Sequence, residues 1–321
     1  MITKRQLLGS LVGVALAAAA GGAAAQSFPS GPVKIIVPRA PGGGSDNITR
    51  MIGPALEKKL GVPVVIENRP DATAVLGADL VAKAKPDGYT VYLSDNSFYQ
   101  NPAILDSLPY DTIKDFTAVT MLAQGPVILI VHPSIQAKTL PELIALAKKS
   151  KLTFASGGIG SSTHLVGVML NLKAGTSITH VPFKSSGPAL NALLGGHVSM
   201  QFGGISSARP FVEQGKVRAI ALTGDRRDPS MPDVPTFQEG GLQGADVTSV
   251  WGIHAPAGTP LAVRRVLRDA VVAVMREPEM TKTLAERGYD IIGNTPEEHQ
   301  KQTEALVTQW IEVGKKVNLK E

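Results

Sequence analysis

The chain has 321 residues, with 32 basic and 27 acidic side chains, a formal charge of +5 at pH 7, 5% aromatic residues and no cysteine. The missing cysteines exclude disulfides, thiolate metal sites, a cysteine nucleophile and a lipid-anchored lipoprotein cysteine. The mild charge, the lack of long basic runs and the few aromatics argue against a nucleic-acid partner, and the length is enough for one or two hydrophobic cores.

Lys4 and Arg5 precede a small and apolar run, Leu7 to Ala20, followed by Ala23-Ala24-Ala25. This order is that of a signal peptide over residues 1–25, cleaved after Ala25, rather than a membrane anchor, because no cationic stop-transfer cluster follows. "TKRQLL" is similar to a weak twin-arginine signal with Lys4 in the first arginine's place. The mature chain is expected to be exported and soluble.

Strands and helices then alternate in two similar sets. The first is strand 33–37, helix 47–60, strand 63–67, helix 74–85 and strand 89–95. The second is strand 151–156, helix 162–174, strand 178–183, helix 187–194 and strand 197–202. This pattern predicts α/β architecture with two doubly wound lobes, each a parallel sheet covered on both faces. Helix 47–60 carries an apolar stripe, Ile48, Met51, Ile52, Ala55, Leu56 and Leu60, with Pro54 expected to kink it. Between the sets lie a buried strand at 127–131 and helix 140–149, opened by the Thr139/Glu142 capping box. Strand 217–223, a polar loop 224–247, strand 248–255 and two capped helices follow. The last helix, 296–317, is assigned back to the first lobe. The expected domains are a lobe of residues 26–127 plus 249–321 and a second of 128–248, crossed twice by the chain, with a hinge and a central cleft.

Each set has a glycine-rich turn where its first strand gives way to its first helix, Pro41 to Asp46 and Ala155 to Leu165. Ligands of doubly wound sheets sit at the carboxyl ends of the strands, so both turns are expected to face one cleft. Neither has the Lys-Ser/Thr of a phosphate-binding loop, and neither has the third glycine of a dinucleotide fingerprint. Unpaired helix N–H groups, the partial positive charge of a helix end and the hydroxyls of Ser161, Ser162 and Thr163 suit a carboxylate. One such turn alone reads as an ordinary turn with caps; two at equivalent places read as ligand binding. Asp46 reads either as the cap of helix 47–60 or as an acceptor for a ligand hydroxyl, amine or water. Ser162 and His164, two apart at a helix start, do not face each other as a nucleophile and base would. The six histidines show no metal-ligand spacing. No catalytic residue, metal or cofactor is expected.

The stretches "PVKIIVPRAPGGGSDNITR", "VPVVIENRP", "GADLVAKAKPDGYTVYLSD", "FASGGIGSSTHL", "THVPFKSSGPALNALLGGHV", "GKVRAIALTGDRR" and "WGIHAPAGTP" resemble, in order and spacing, the Bug-type receptors of tripartite tricarboxylate transporters. The resemblance spans nearly the whole mature length. It implies a type II periplasmic binding protein that closes like a clamp on a small organic carboxylate. In that reading it is a monomer in the periplasm, without enzymatic activity, and hands its ligand to a two-component membrane permease. A sensor docking a membrane histidine kinase and a serine hydrolase are the alternatives. The ligand-binding set carried over comprises Gly43, Gly44, Ser45 and Asp46 in the first turn and Gly160, Ser161, Ser162 and Thr163 in the second. Phe183 and Lys184 join from the stretch that lines the cleft, with Ser94, Asn96 and Gly203 near strand ends. Arg39 stands where the family commonly has an apolar or aromatic residue, and is expected either to pair with a second anionic group of the ligand or to stand solvated beside the cleft. Asp71-Ala72-Thr73-Ala74 replaces the usual glycine-rich loop, and Gly203-Gly204 replaces bulkier residues and is expected to widen the pocket.

Overall fold

The computed structural model describes residues 28–245 and 247–316; the expected signal peptide, residues 1–25, lies outside the described residues. Among the described residues are ten helices and eleven strands in two sheets.

The first sheet has the order β11-β4-β10-β3-β1-β2. Its strands are β1 (Val33–Val37), β2 (Val64–Asn68), β3 (Thr90–Ser94), β4 (Phe116–Gly125), β10 (Ser249–Pro256) and β11 (Asp290–Ile291). The second has the order β7-β6-β8-β5-β9, from β5 (Val127–Val131), β6 (Thr153–Ser156), β7 (Thr179–Pro182), β8 (Met200–Gly204) and β9 (Arg218–Leu222).

Neither sheet is purely parallel as expected. β1, β2 and β3 are parallel, as are β6, β7 and β8, but β10 runs against β3 and β4, and β5 against β8 and β9. The reason is the path of the chain. β4 leads through Pro126 directly into β5, and β9 is followed by the long loop that returns to β10. A strand that has just crossed begins at the junction of the two sheets and must run away from it.

Strand β5 shows why the second sheet needs covers on both faces. Alternate side chains point to opposite faces: Val127, Leu129 and Val131 join one apolar cluster, and Ile128 and Ile130 join the other. The first sheet builds an aromatic cluster of Tyr92, Phe98, Tyr99, Tyr110 and Phe116, with Phe98 edge-on to Phe116 at 4.9 Å between ring centres.

The helices of the first sheet are α1 (Gly44–Leu60), α2 (Val75–Ala82), α3 (Asn96–Ile104), α8 (Leu261–Met275), α9 (Pro278–Ala285) and α10 (Pro296–Lys316); those of the second are α4 (Leu140–Ala147), α5 (Ser162–Ala174), α6 (Ser186–Leu194) and α7 (Ile205–Glu213). Helix α1 starts three residues earlier than its apolar stripe implies and runs through Pro54 to Gly61, whose left-handed backbone caps it. Helix α10 packs on α3 and β4, which accounts for its apolar face. No helix among the described residues is long and apolar enough to cross a membrane.

Candidate functional site

Five helices begin at one place. The cap or first residues of α1 (Gly43, Gly44, Ser45), α3 (Asp95, Asn96), α5 (Ser161, Ser162, Thr163), α6 (Ser185, Ser186) and α7 (Gly204) line a cavity of about 50 Å³, closed further by Arg39, Gly157, Ser249 and Trp251. That is several times the roughly 10–15 Å³ one water requires. Each helix start brings unpaired N–H groups and a partial positive charge. Three of the five are capped by their own side chains: Asp95 accepts from Ser97 N, Ser161 from His164 N and Ser185 from Gly187 N. The caps of α1 and α7 are glycines, and no side chain caps these two ends. Donor-rich ends are thus offered by one helix from each sheet.

The two glycine turns do face one cavity, but by different means. In the first, Asp46 turns away from the cavity wall. Its carboxylate accepts from Gly42 N at 3.1 Å, Arg50 Nε at 2.8 Å and Asn68 Nδ2 at 2.9 Å, so it fixes the turn. Gly44 lies under the Trp251 ring, where a Cβ would come within 2.7 Å of Cζ2. In the second turn the hydroxyls brace the backbone. Ser161 Oγ donates to Gly158 O at 2.6 Å, and Thr163 Oγ1 accepts from Gly157 N at 2.8 Å. Ser162 Oγ meets Ser249 Oγ at 2.7 Å, a bond between residues attached to different sheets.

Arg39 is neither solvated nor free for a ligand. It is 4% exposed. Its Nε donates to Asp95 Oδ2 at 2.6 Å, Nη2 to Ser97 Oγ, and Nη1 to Gly157 O at 2.8 Å. Burial works against its charge, but the Asp95 carboxylate outweighs that and holds the guanidinium above its ordinary value. Arg39 and Asp95 are the two ionisable groups of the cavity wall, and they neutralise each other.

The other expected residues are placed as follows. Asn96 is on the wall and also holds β10 through Thr248 O and Val250 N. Ser94 lies off the wall, buried with Tyr99 OH and His254 Nδ1, both at 3.0 Å. Gly160 faces Asn101 of α3, and Gly203 packs on Gln201 behind the wall; its neighbour Gly204 is the one on the wall. Phe183 packs against the core of the second sheet, and Lys184 is exposed, contributing its carbonyl to Ala40 N at 3.1 Å. Sequence reasoning left Asp95, Gly157, Ser185, Ser186, Gly204, Ser249 and Trp251 out of the binding set. The Gly-Gly of 203–204 before an amphipathic stretch was the signal for α7.

The loop that departs from the family pattern is rebuilt around Asp71. Its carboxylate accepts from Thr73 N, Val75 N and Leu76 N and so caps α2, while Ala74 takes a left-handed φ of 63°.

Two α/β sheets joined by two chain crossings, with a polar cavity of helix ends between them, define a solute-binding receptor. The profile described as tripartite tricarboxylate transporter family receptor (TctC) matches residues 48–319. A UPF0065 protein from the tcbD-tcbE intergenic region of Pseudomonas sp. strain P51 is 34% identical, over 89% of this chain and 87% of that protein. The periplasmic binding protein BugD superposes with a TM-score of 0.88 at 31% identity, covering 92% of this chain and all of BugD. MatC from Rhodopseudomonas palustris, solved with bound malate, superposes with a TM-score of 0.85 at 33% identity, covering 89% of this chain and 100% of MatC. The chain belongs to the TctC family of tripartite tricarboxylate transporter receptors.

Proposed function

We propose that the protein is a periplasmic receptor that binds a small organic carboxylate in the cavity and passes it, unchanged, to a two-component membrane permease. The observation that carries this reading is the convergence of five helix starts on a cavity whose two ionisable groups cancel. An anion there is held by N–H and O–H donors rather than by a free cation. Hydrogen bonds to a charged group contribute about 1.5–3 kcal/mol each, so three or four supply about 4.5–12 kcal/mol before the ordering costs, and only the strongest set reaches micromolar affinity, about −8 kcal/mol. The malate bound to MatC supports a carboxylate.

In this reading Gly43, Gly44, Ser45, Asn96, Ser161, Ser162 and Thr163 meet the ligand, joined by Gly204, Ser249 and Trp251; Asp46 shapes the first turn from behind. The lobes are residues 26–127 plus 249–321 and 128–248, and they close about the crossings at Pro126 and before β10. Binding proceeds without turnover. The Ser162 hydroxyl is engaged with Ser249, and His164 Nδ1 accepts from Gly160 N at 3.3 Å, so neither is set as the nucleophile and base of a hydrolase.

A thermal-shift screen of aliphatic and aromatic mono-, di- and tricarboxylates tests the reading, because a ligand of the folded form raises the melting temperature. At least one acid is expected to do so, and Gly44→Leu is expected to abolish its binding. No response to any acid, or full affinity in Gly44→Leu, overturns the proposal.

A further inference from the structure

One part of the cavity wall is built by Arg39 and Asp95, 56 residues apart in the chain and bonded to each other. The guanidinium is the one cation on the cavity wall, and it stands where it touches both the first sheet, through Asp95, and the second turn, through Gly157 O. Among the described residues Asp95 has no other charged hydrogen-bond partner; its side chain also accepts the capping bond from Ser97 N at 2.9 Å. The pair therefore presents a neutral, polar part of the wall to a ligand whose carboxylate lies at the uncapped helix starts.

Resting on the carboxylate reading above, we propose that Asp95 is the charge-selecting residue of the site. By neutralising Arg39 it makes that part of the wall accept an uncharged hydroxyl-, carbonyl- or alkyl-bearing part of the ligand and disfavour a second carboxylate. A buried guanidinium without its counter-ion would do the reverse, since Arg recognises a carboxylate through two parallel N–H bonds. Asparagine at 95 keeps one oxygen to cap α3 and removes the charge, together with the acceptor that faces Arg39 Nε.

Three matched pairs of acids read this selection by calorimetric titration of the purified protein: butyrate and succinate, 3-hydroxybutyrate and malate, hexanoate and adipate. Each pair differs by a methyl group exchanged for a carboxylate. Asp95→Asn is expected to shift the ratio of the two Kd values at least fivefold toward the diacid. Arg39→Gln, which leaves Asp95 uncompensated, is expected to shift it at least fivefold toward the monoacid. The opposite signs make either variant sufficient if melting curves show that the other does not fold. Smaller shifts, or shifts in one direction for both variants, overturn the proposal while leaving the carboxylate reading intact. Failure of all six acids to bind the wild-type protein overturns this inference while leaving the carboxylate reading to the wider thermal-shift screen, and no response to any acid of that screen removes both.

Discussion

The two glycine turns look alike in sequence and do different work. The first, Pro41 to Asp46, leaves the start of α1 without a side-chain cap and turns its one carboxylate backward onto Gly42 N, Arg50 and Asn68. The second, Ala155 to Leu165, uses Ser161 and Thr163 on its own backbone and owes its place against the first sheet to Arg39 and Ser162. A glycine-rich strand-to-helix turn thus specifies a close approach, and the neighbouring side chains decide whether its donors remain for a ligand.

The largest way to break this arrangement is at Arg39. Removing one partner of a buried ion pair strands the other, at a cost of about 3–5 kcal/mol. Arg39→Met is therefore expected to lower the denaturant midpoint by that equivalent. An unchanged midpoint would mean that the pair does not hold the turns in register.

Acid stresses the first sheet. His254 of β10 and His299 of α10 are both buried, 4.5 Å apart between ring centres. Burial, together with the repulsion that protonating both rings would bring, pushes His254 well below the usual histidine range, and burial brings His299 down to about 3. Both stay neutral in the folded chain when the unfolded chain takes up protons below about pH 6.5. Stability is thus full above that pH and falls as pH drops toward 3. Between pH 7 and 5 the loss from His299 alone is about 2 kcal/mol, and His254 adds to it in the same direction. Urea titrations at the two pH values check it, and His299→Gln is expected to reduce the slope.

Local pattern made the strand–helix alternation and both turns legible, because each rests on residues close in sequence. Helix α3 was not legible. Asn96, Ser97, Gln100 and Asn101 are buried on it, and the reason lies far away: Asn101 holds Thr73 O and Asn96 holds Thr248 O. The Arg39–Asp95 pair and the Trp251 lid over Gly44 likewise join segments distant in sequence, so no spacing announces them. Mixed strand direction follows from the crossings and not from any strand's own composition.

At the second turn, Gly158 has φ of 122°, and a Cβ there would lie 2.5 Å from Arg39 Nη1 and 2.6 Å from Ala72 O. Backbone strain of this kind costs about 1–3 kcal/mol. That strain stays with the turn in any arrangement, but both clashing groups belong to segments of the first sheet, so the clash adds to it in the closed arrangement. Gly158→Ala is expected to weaken ligand binding by roughly tenfold to a hundredfold, with a smaller effect on the melting temperature of the free protein. A variant that loses both equally would place the whole cost in the turn itself.

The smallest effect sharpens the comparison most. The Ser162–Ser249 bond joins the two sheets across the cavity, and a neutral hydrogen bond contributes about 0.5–1.5 kcal/mol. If Ser162 acts only through Ser249, then Ser162→Ala and Ser249→Ala each weaken binding by about that much, and the double variant costs no more than either. If Ser162 also donates to the ligand carboxylate, its loss approaches about 1.5–3 kcal/mol and exceeds that of Ser249→Ala. A calorimetric double-mutant cycle separates the two cases. It thereby tells whether the second turn holds the ligand or only holds the receptor shut around it.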